Sequence, residues 1–202
     1  MNKTTRERML DAGLSMLLRH GYHDLGIQAV LKETGTPKGS FYHHFASKED
    51  FALQVVDRYM DEVHAGLDAS LGDLSLAPLD RVRKFFELTR DKYREDGYLG
   101  CMLGGLGQEL SGLSPVFQEK IERCFGIIAG HISACMEEAQ ISGDLSPDAD
   151  PHEMANLIVN CWEGAALRCR LRRDATPLDT MLDFYFSAII ATRASHKSSA
   201  AD

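Results

Sequence analysis

Residues 34–49 read T-G-T-P-K-G-S-F-Y-H-H-F-A-S-K-E, and their punctuation decides the fold. Gly35 can adopt positive φ and so end a helix after Thr34. Thr36 is a suitable N-cap, and Pro37 suits the first helical position, where no amide hydrogen is needed. The helix this predicts is only about eight residues long. Phe41 and Phe45 lie i, i+4 on one of its faces. Ser47 and Asp50 then open a further helix as a capping box, with Asp standing in for Glu.

A helix this short is unstable alone and must bury Phe41 and Phe45 against neighbours. Its other face then presents small, polar and basic groups: Lys38, Gly39, Ser40, Tyr42, His43 and His44. That profile suits a helix laid in a DNA major groove, where Gly39 and Ser40 permit close approach and Lys38 meets a phosphate or a guanine edge. Residues 27–34, with Ile27, Ala29, Val30 and Leu31, read as the preceding helix of a helix-turn-helix. Residues 4–20 read as a longer amphipathic helix, opened by a Thr4/Glu7 capping box and stopped by Gly21.

These residues resemble the TetR-type transcriptional repressors. The resemblance is carried by Gly21-Tyr22, Ile27, Gly35, the run Lys38 to Phe45 and Ser47-Lys48-Glu49. It is dense over the first quarter of the chain and loose over the helical plan of the rest. One departure is Gly26, where the family usually has Ser or Thr capping the second helix; glycine there costs a few tenths of a kcal/mol. The resemblance implies double-stranded operator DNA as a partner. Lys38, Gly39 and Ser40 would read the groove with Gln28 and His43 assisting, Tyr42, His44 and Lys48 would hold phosphates, and Thr36 and Pro37 would complete the contact surface.

Composition fits a soluble, intracellular protein. Among 202 residues, 44% are hydrophobic and 26% charged, which is ordinary for a globular protein. No apolar run approaches a membrane span, and no apolar segment follows the basic N-terminus, so neither membrane insertion nor secretion is expected. Five cysteines without metal-site spacing point to reduced thiols and a cytoplasmic location. The net charge of −8 is unevenly divided: residues 1–50 hold seven Lys/Arg against six Asp/Glu, and the remainder fifteen against twenty-four. An acidic body either restrains indiscriminate contact with DNA or merely keeps the protein in solution.

Beyond residue 50 the chain reads as helix throughout, over 47–71, 78–95, 100–110, 114–141, 151–172 and 177–193. The expected fold is therefore all-α. Residues 1–46 form a three-helix DNA-binding domain, 47–195 a helical effector-binding and dimerisation domain, and 196–202 a disordered tail. The last two helices, about 151–173 and 177–193, are more apolar than a one-sided surface helix needs: Met154, Leu157, Ile158, Cys161, Trp162, Ala165 and Leu167 on one, Leu178, Met181, Leu182, Phe184, Tyr185, Ala188 and Ile189 on the other. They are either core or a homodimer interface. The resemblance implies the latter, as does the need for two recognition helices about 34 Å apart.

Residues 100–107 place four glycines in eight positions, each costing about 0.8–1 kcal/mol in a helix. Cys101 falls at the N-terminus of that segment, where the helix dipole favours a thiolate. The segment resembles one in a TetR branch that includes repressors sensing quinones, aldehydes and N-ethylmaleimide-like electrophiles, in which a cysteine of an equivalent Gly-Cys segment is the sensor. Only Cys101 matches it. Three readings stay open: a sensing thiol, a residue lining a cavity for a noncovalent hydrophobic or cationic effector, or core. Cys124, Cys135, Cys161 and Cys169 read as inert helical cysteines. Arg168, Arg170, Arg172 and Arg173 form a cationic helix end.

Enzymatic chemistry has little support. There is no G-x-S-x-G, no phosphate-binding G-x-x-x-x-G-K-[ST] and no H-E-x-x-H among the eight histidines. A thiol-dependent enzyme built on Cys101 is a remote alternative; no cofactor and no metal are expected.

Overall fold

The computed structural model describes the backbone of residues 3–199 and side chains through Ile189. The helices among these residues are α1 (Thr5–His20), α2 (Ile27–Thr34), α3 (Lys38–His44), α4 (Lys48–Leu71), α5 (Pro78–Glu95), α6 (Met102–Leu110), α7 (Pro115–Ile141), α8 (Pro151–Arg172) and α9 (Thr176–Ser199). No strand occurs among the described residues.

The local signals act largely as the sequence predicts. Thr4 Oγ1 accepts the Glu7 N–H, and the Glu7 carboxylate accepts the Thr4 N–H, closing the capping box of α1. Gly21 ends that helix at φ 77°. Ser47 Oγ accepts the Asp50 N–H, but the Asp50 carboxylate reaches back one residue further than a standard box, to the Ala46 N–H. Asp150 caps α8 through the His152 and Glu153 amides, with Pro151 in the first turn.

Some boundaries differ. The N-cap of α3 is Pro37 rather than Thr36; Pro37 keeps an extended ψ of 149°, and regular helix starts at Lys38. The glycine-rich segment forms a regular helix from Met102, with Cys101 as its N-cap. α9 starts at Thr176 and stays helical to Ser199, past the expected end at Arg193 and into the expected tail; residues 200–202 lie outside the described residues.

The chain divides into two compact units. The first unit runs to His64 and takes in Cys101–Cys124; the second holds Ala65–Gly100 and the chain from Phe125 onward. Thus α6 and the start of α7 belong with α1–α3. The core of the first unit is an aromatic cluster in which Phe41, Phe45 and Phe51 are mutually in contact, with centroids 4.7–5.2 Å apart. All three are fully buried, with Met9, Leu25 and Val30. This burial supplies what α3 lacks by itself.

In the second unit α8 packs on α9, and α5 on α9. Trp162 of α8 meets Phe86 and Tyr93 of α5 at centroid distances of 4.8 and 5.8 Å. Buried Arg81 donates to the Leu71 carbonyl at 2.7 Å and pairs with Glu138. Tyr185 donates its hydroxyl to the Met154 carbonyl at 2.7 Å, tying α9 to α8.

Candidate nucleic-acid interface and effector segment

The turn between α2 and α3 is set by Gly35, whose φ of 63° and ψ of 31° are left-handed helical. The Gly35 and Thr36 amides return to the Lys32 and Leu31 carbonyls, at 3.3 and 2.9 Å, and satisfy the end of α2. Thr36 donates its hydroxyl to the Thr34 carbonyl at 3.3 Å. Past this turn Phe41 points into the core, and the opposite face of α3 points outward.

That face carries most of the residues singled out from the sequence. Lys38, Gly39, Tyr42 and His43 are exposed, Tyr42 to 55%; Ser40 and His44 are half-buried. Gln28 on α2 and Pro37 are exposed beside them, and Thr36 is half-buried. A Cβ at Gly39 would meet nothing within 4 Å. The fold of the chain therefore gives no steric reason for glycine there, although glycine costs about 0.5–1 kcal/mol in a helix relative to alanine.

Lys48 is placed differently from a freely projecting phosphate ligand. Its Nζ donates to the His23 carbonyl at 3.2 Å and lies 4.5 Å above the Tyr22 ring. Arg6, which the sequence reading passed over, is exposed; it donates to Gln54 and lies 6.0 Å from the Phe45 ring centroid, next to the end of α3.

In α6, Cys101 is half-buried, and its Sγ lies 3.9 Å from the Tyr59 hydroxyl on α4. Cys124, Cys135 and Cys169 are buried, and burial pushes each thiol up from its ordinary pKa. Cys161 is exposed. None of the five cysteines is in a disulfide. At the other end of α6, the Glu109 carboxylate accepts the Tyr22 and His23 amides at 2.8 and 2.7 Å and lies 2.6 Å from His23 Nδ1. Burial disfavours its charged form. The hydrogen bonds from the Tyr22 amide and from the His23 ring and amide outweigh that and hold its pKa below the usual value. Nothing local in the sequence marks Glu109, whose partners lie 86 and 87 residues away.

The apolar residues of α8 and α9 split between two faces. Ile158, Trp162, Ala165, Leu178, Leu182, Tyr185 and Ile189 are buried within the second unit. Leu157, Cys161, Leu167 and Leu171 on α8 and Phe184 on α9 are exposed, Phe184 to 77%. Among the described residues no group of three or more His, Cys, Asp or Glu is placed to hold a metal ion. No described helix is long and apolar enough to cross a membrane.

A helix-turn-helix whose second helix exposes a polar face, followed by an all-helical body, defines a class of DNA-binding regulators. Residues 9–55 match the family described as bacterial regulatory proteins, tetR family, and residues 78–185 match the tetracyclin repressor-like C-terminal domain. The chain belongs to the TetR family of transcriptional regulators. It is similar to the HTH-type transcriptional repressor DhaR of Mycobacterium sp. (strain GP1), at 31% identity over 92% of each chain. Its fold is similar to that of a TetR regulatory protein from Rhodobacter sphaeroides, with a TM-score of 0.87 and 33% identity over 92% of this chain and 98% of that one. It is also similar to the reduced form of NemR from Escherichia coli, with a TM-score of 0.82 and 27% identity over 90% of this chain and 94% of that one. These relatives are regulators and not enzymes. Regulators of this family bind operator DNA, act as dimers and answer small-molecule effectors.

Proposed function

We propose that this repressor holds its operator through α3 and is released when an electrophile modifies Cys101. Lys38, Gly39 and Ser40 read base edges with Gln28 and His43. Tyr42, His44 and Lys48 hold phosphates, Lys48 after leaving the His23 carbonyl, and Thr36 and Pro37 complete the surface. The homodimer forms through the outward faces of α8 and α9, where Leu157, Leu167, Leu171 and Phe184 stand uncovered in the protomer.

The observation that carries the effector reading is the position of Cys101. It is the N-cap of a helix that shares one compact unit with α1–α3, and it is the half-buried thiol while three others are buried. The positive end of the α6 dipole favours its thiolate. Addition to an activated alkene forms one S–C bond. The alkene π electrons pass to the adjacent carbonyl as an enolate, which takes up one proton. The bulk of the adduct then shifts α6 within the DNA-binding unit. NemR, a similar chain, has a structure described as a reduced form, so redox state is distinguished in that relative.

A gel shift on DNA upstream of the coding sequence tests this, with wild type and Cys101→Ser, each with and without N-ethylmaleimide. Release of wild type alone is the expected result. Release of both proteins, or of neither while binding stays tight, contradicts a sensing Cys101; it leaves a repressor that answers a noncovalent hydrophobic or cationic ligand, with Cys101 only lining its site.

A further inference from the structure

Glu109 lies neither on the outward face of α3 nor at Cys101; beside the packing of α6 on α1, it is a polar tie from α6 to the turn between α1 and α2. Its Oε2 accepts the Tyr22 amide, and its Oε1 accepts the His23 amide and faces His23 Nδ1. The α1–α2 turn is shaped around this carboxylate: Gly21 takes φ 77°, and a Cβ there would stand 2.7 Å from Glu109 Oε2. The same two residues are held from other sides as well. Lys48 of α4 donates to the His23 carbonyl and covers the Tyr22 ring, and the ring packs edge-on against Phe117 of α7 at 5.4 Å. Residues 22–23 connect α1 to α2, and α2 carries α3.

Cys101 caps one end of α6 and Glu109 lies near the other, on a short helix that rises about 1.5 Å per residue. A carboxylate that accepts two backbone amides and faces an imidazole makes a directional, charge-assisted link. The Phe41–Phe45–Phe51 cluster, by contrast, joins α3 to the start of α4 through ring contacts.

We propose that Glu109 is a positioning residue that makes the DNA-binding helices follow α6. The inference rests on the reading that α6 responds to an effector, and it assigns the contact through which that response travels. Without the carboxylate, the DNA-binding helices keep their own core and still bind operator, but displacement of α6 no longer reaches them.

A double-mutant cycle on operator affinity of the full-length protein tests this. Gly107→Leu is chosen to perturb α6 independently of thiol chemistry: a Cβ at half-buried Gly107 would lie 3.7 Å from Ile121 of α7, in van der Waals contact, so a branched side chain there crowds that contact. Thermal unfolding confirms that each variant folds; Gly107→Val replaces Gly107→Leu if leucine prevents folding. Gly107→Leu is expected to weaken operator binding about tenfold, within the usual range of coupling between sites. Glu109→Gln alone is expected to change it less than about threefold, and in that background the Gly107→Leu effect falls below about threefold. A merely structural role for Glu109 would add its cost to that of Gly107→Leu and leave the coupling unchanged. Equal effects of Gly107→Leu with and without the carboxylate overturn the inference, as does a Gly107→Leu protein that binds like wild type.

A second arm repeats the comparison with N-ethylmaleimide as the probe. Release of wild type but not of Glu109→Gln supports both readings. Equal release of the two overturns the role of Glu109 and leaves a sensing Cys101 standing. No release of wild type, alongside a cycle that shows coupling, removes Cys101 as the sensor and leaves Glu109 in place.

Discussion

Gly13 of α1 and Phe51 of α4 approach so closely that a Cβ at Gly13 would stand 2.5 Å from Phe51 Cζ and 2.8 Å from Val55 Cγ2. Helix propensity alone makes Gly13→Ala stabilising by about 1 kcal/mol. Packing makes it destabilising, because Phe51 is fully buried against Phe41 and Phe45 and has nowhere to retreat. Overpacking a core costs about 1–3 kcal/mol, so the net expectation is a loss of stability. Urea unfolding decides the sign: a lower midpoint for Gly13→Ala agrees with this packing, and a higher one contradicts it.

Gly39 presents the opposite case. Alanine fits there without contact, so Gly39→Ala is expected to raise stability by about 0.5–1 kcal/mol. If α3 lies against base edges at this position, the same methyl group weakens operator binding. Thermal unfolding and fluorescence anisotropy on one preparation read both effects. A variant that is more stable and binds as tightly as wild type removes Gly39 from the DNA surface.

Phe184 is 77% exposed on α9, while Tyr185 and Phe186 beside it are buried. Phe184→Glu therefore leaves the protomer core intact and places a charge on the proposed interface. Sedimentation is expected to show a shift from dimer toward monomer, with operator affinity falling in parallel because two half-sites are no longer engaged together. A variant that remains dimeric at the same concentration places the interface elsewhere.

The thiols are predicted to separate by burial. Cys124, Cys135 and Cys169 are neutral and shielded at pH 7, since burial raises their pKa values, and the thiolate is the reactive form. Native alkylation counted by mass spectrometry is expected to spare Cys124, Cys135 and Cys169, with all five modified only in denaturant. Rapid native labelling of Cys124, Cys135 or Cys169 contradicts this burial pattern.

What the sequence discloses here is mostly local. The Thr4/Glu7 box, Gly21, Gly35 and the Phe41/Phe45 spacing each act within a few residues, and each appears in the structure where the chain implies it. Periodicity showed that α8 and α9 are apolar on more than one side, but it could not say that Trp162 turns inward and Leu157 outward. The placement of α6 with α1–α3 was not legible. It depends on one carboxylate meeting two backbone amides far away in sequence, and an amide carries no residue identity to read. Lys48 shows a related limit. The family resemblance implies a phosphate ligand, while the structure gives it the His23 carbonyl and the Tyr22 ring.

The central claim is that the dimer reads DNA through α3. Footprinting with quantitative anisotropy across a salt series, on wild type, Lys48→Ala and Ser40→Ala, tests it most directly. A protected site with half-sites about 34 Å apart, one turn of DNA, is expected. Lys48→Ala weakens specific and nonspecific binding alike and lowers the slope of log K against log salt by about 0.9 for each protomer, about 1.8 for the dimer. Ser40→Ala changes the ranking of operator variants and leaves that slope intact. Protection that neither substitution alters would contradict a reading surface on α3.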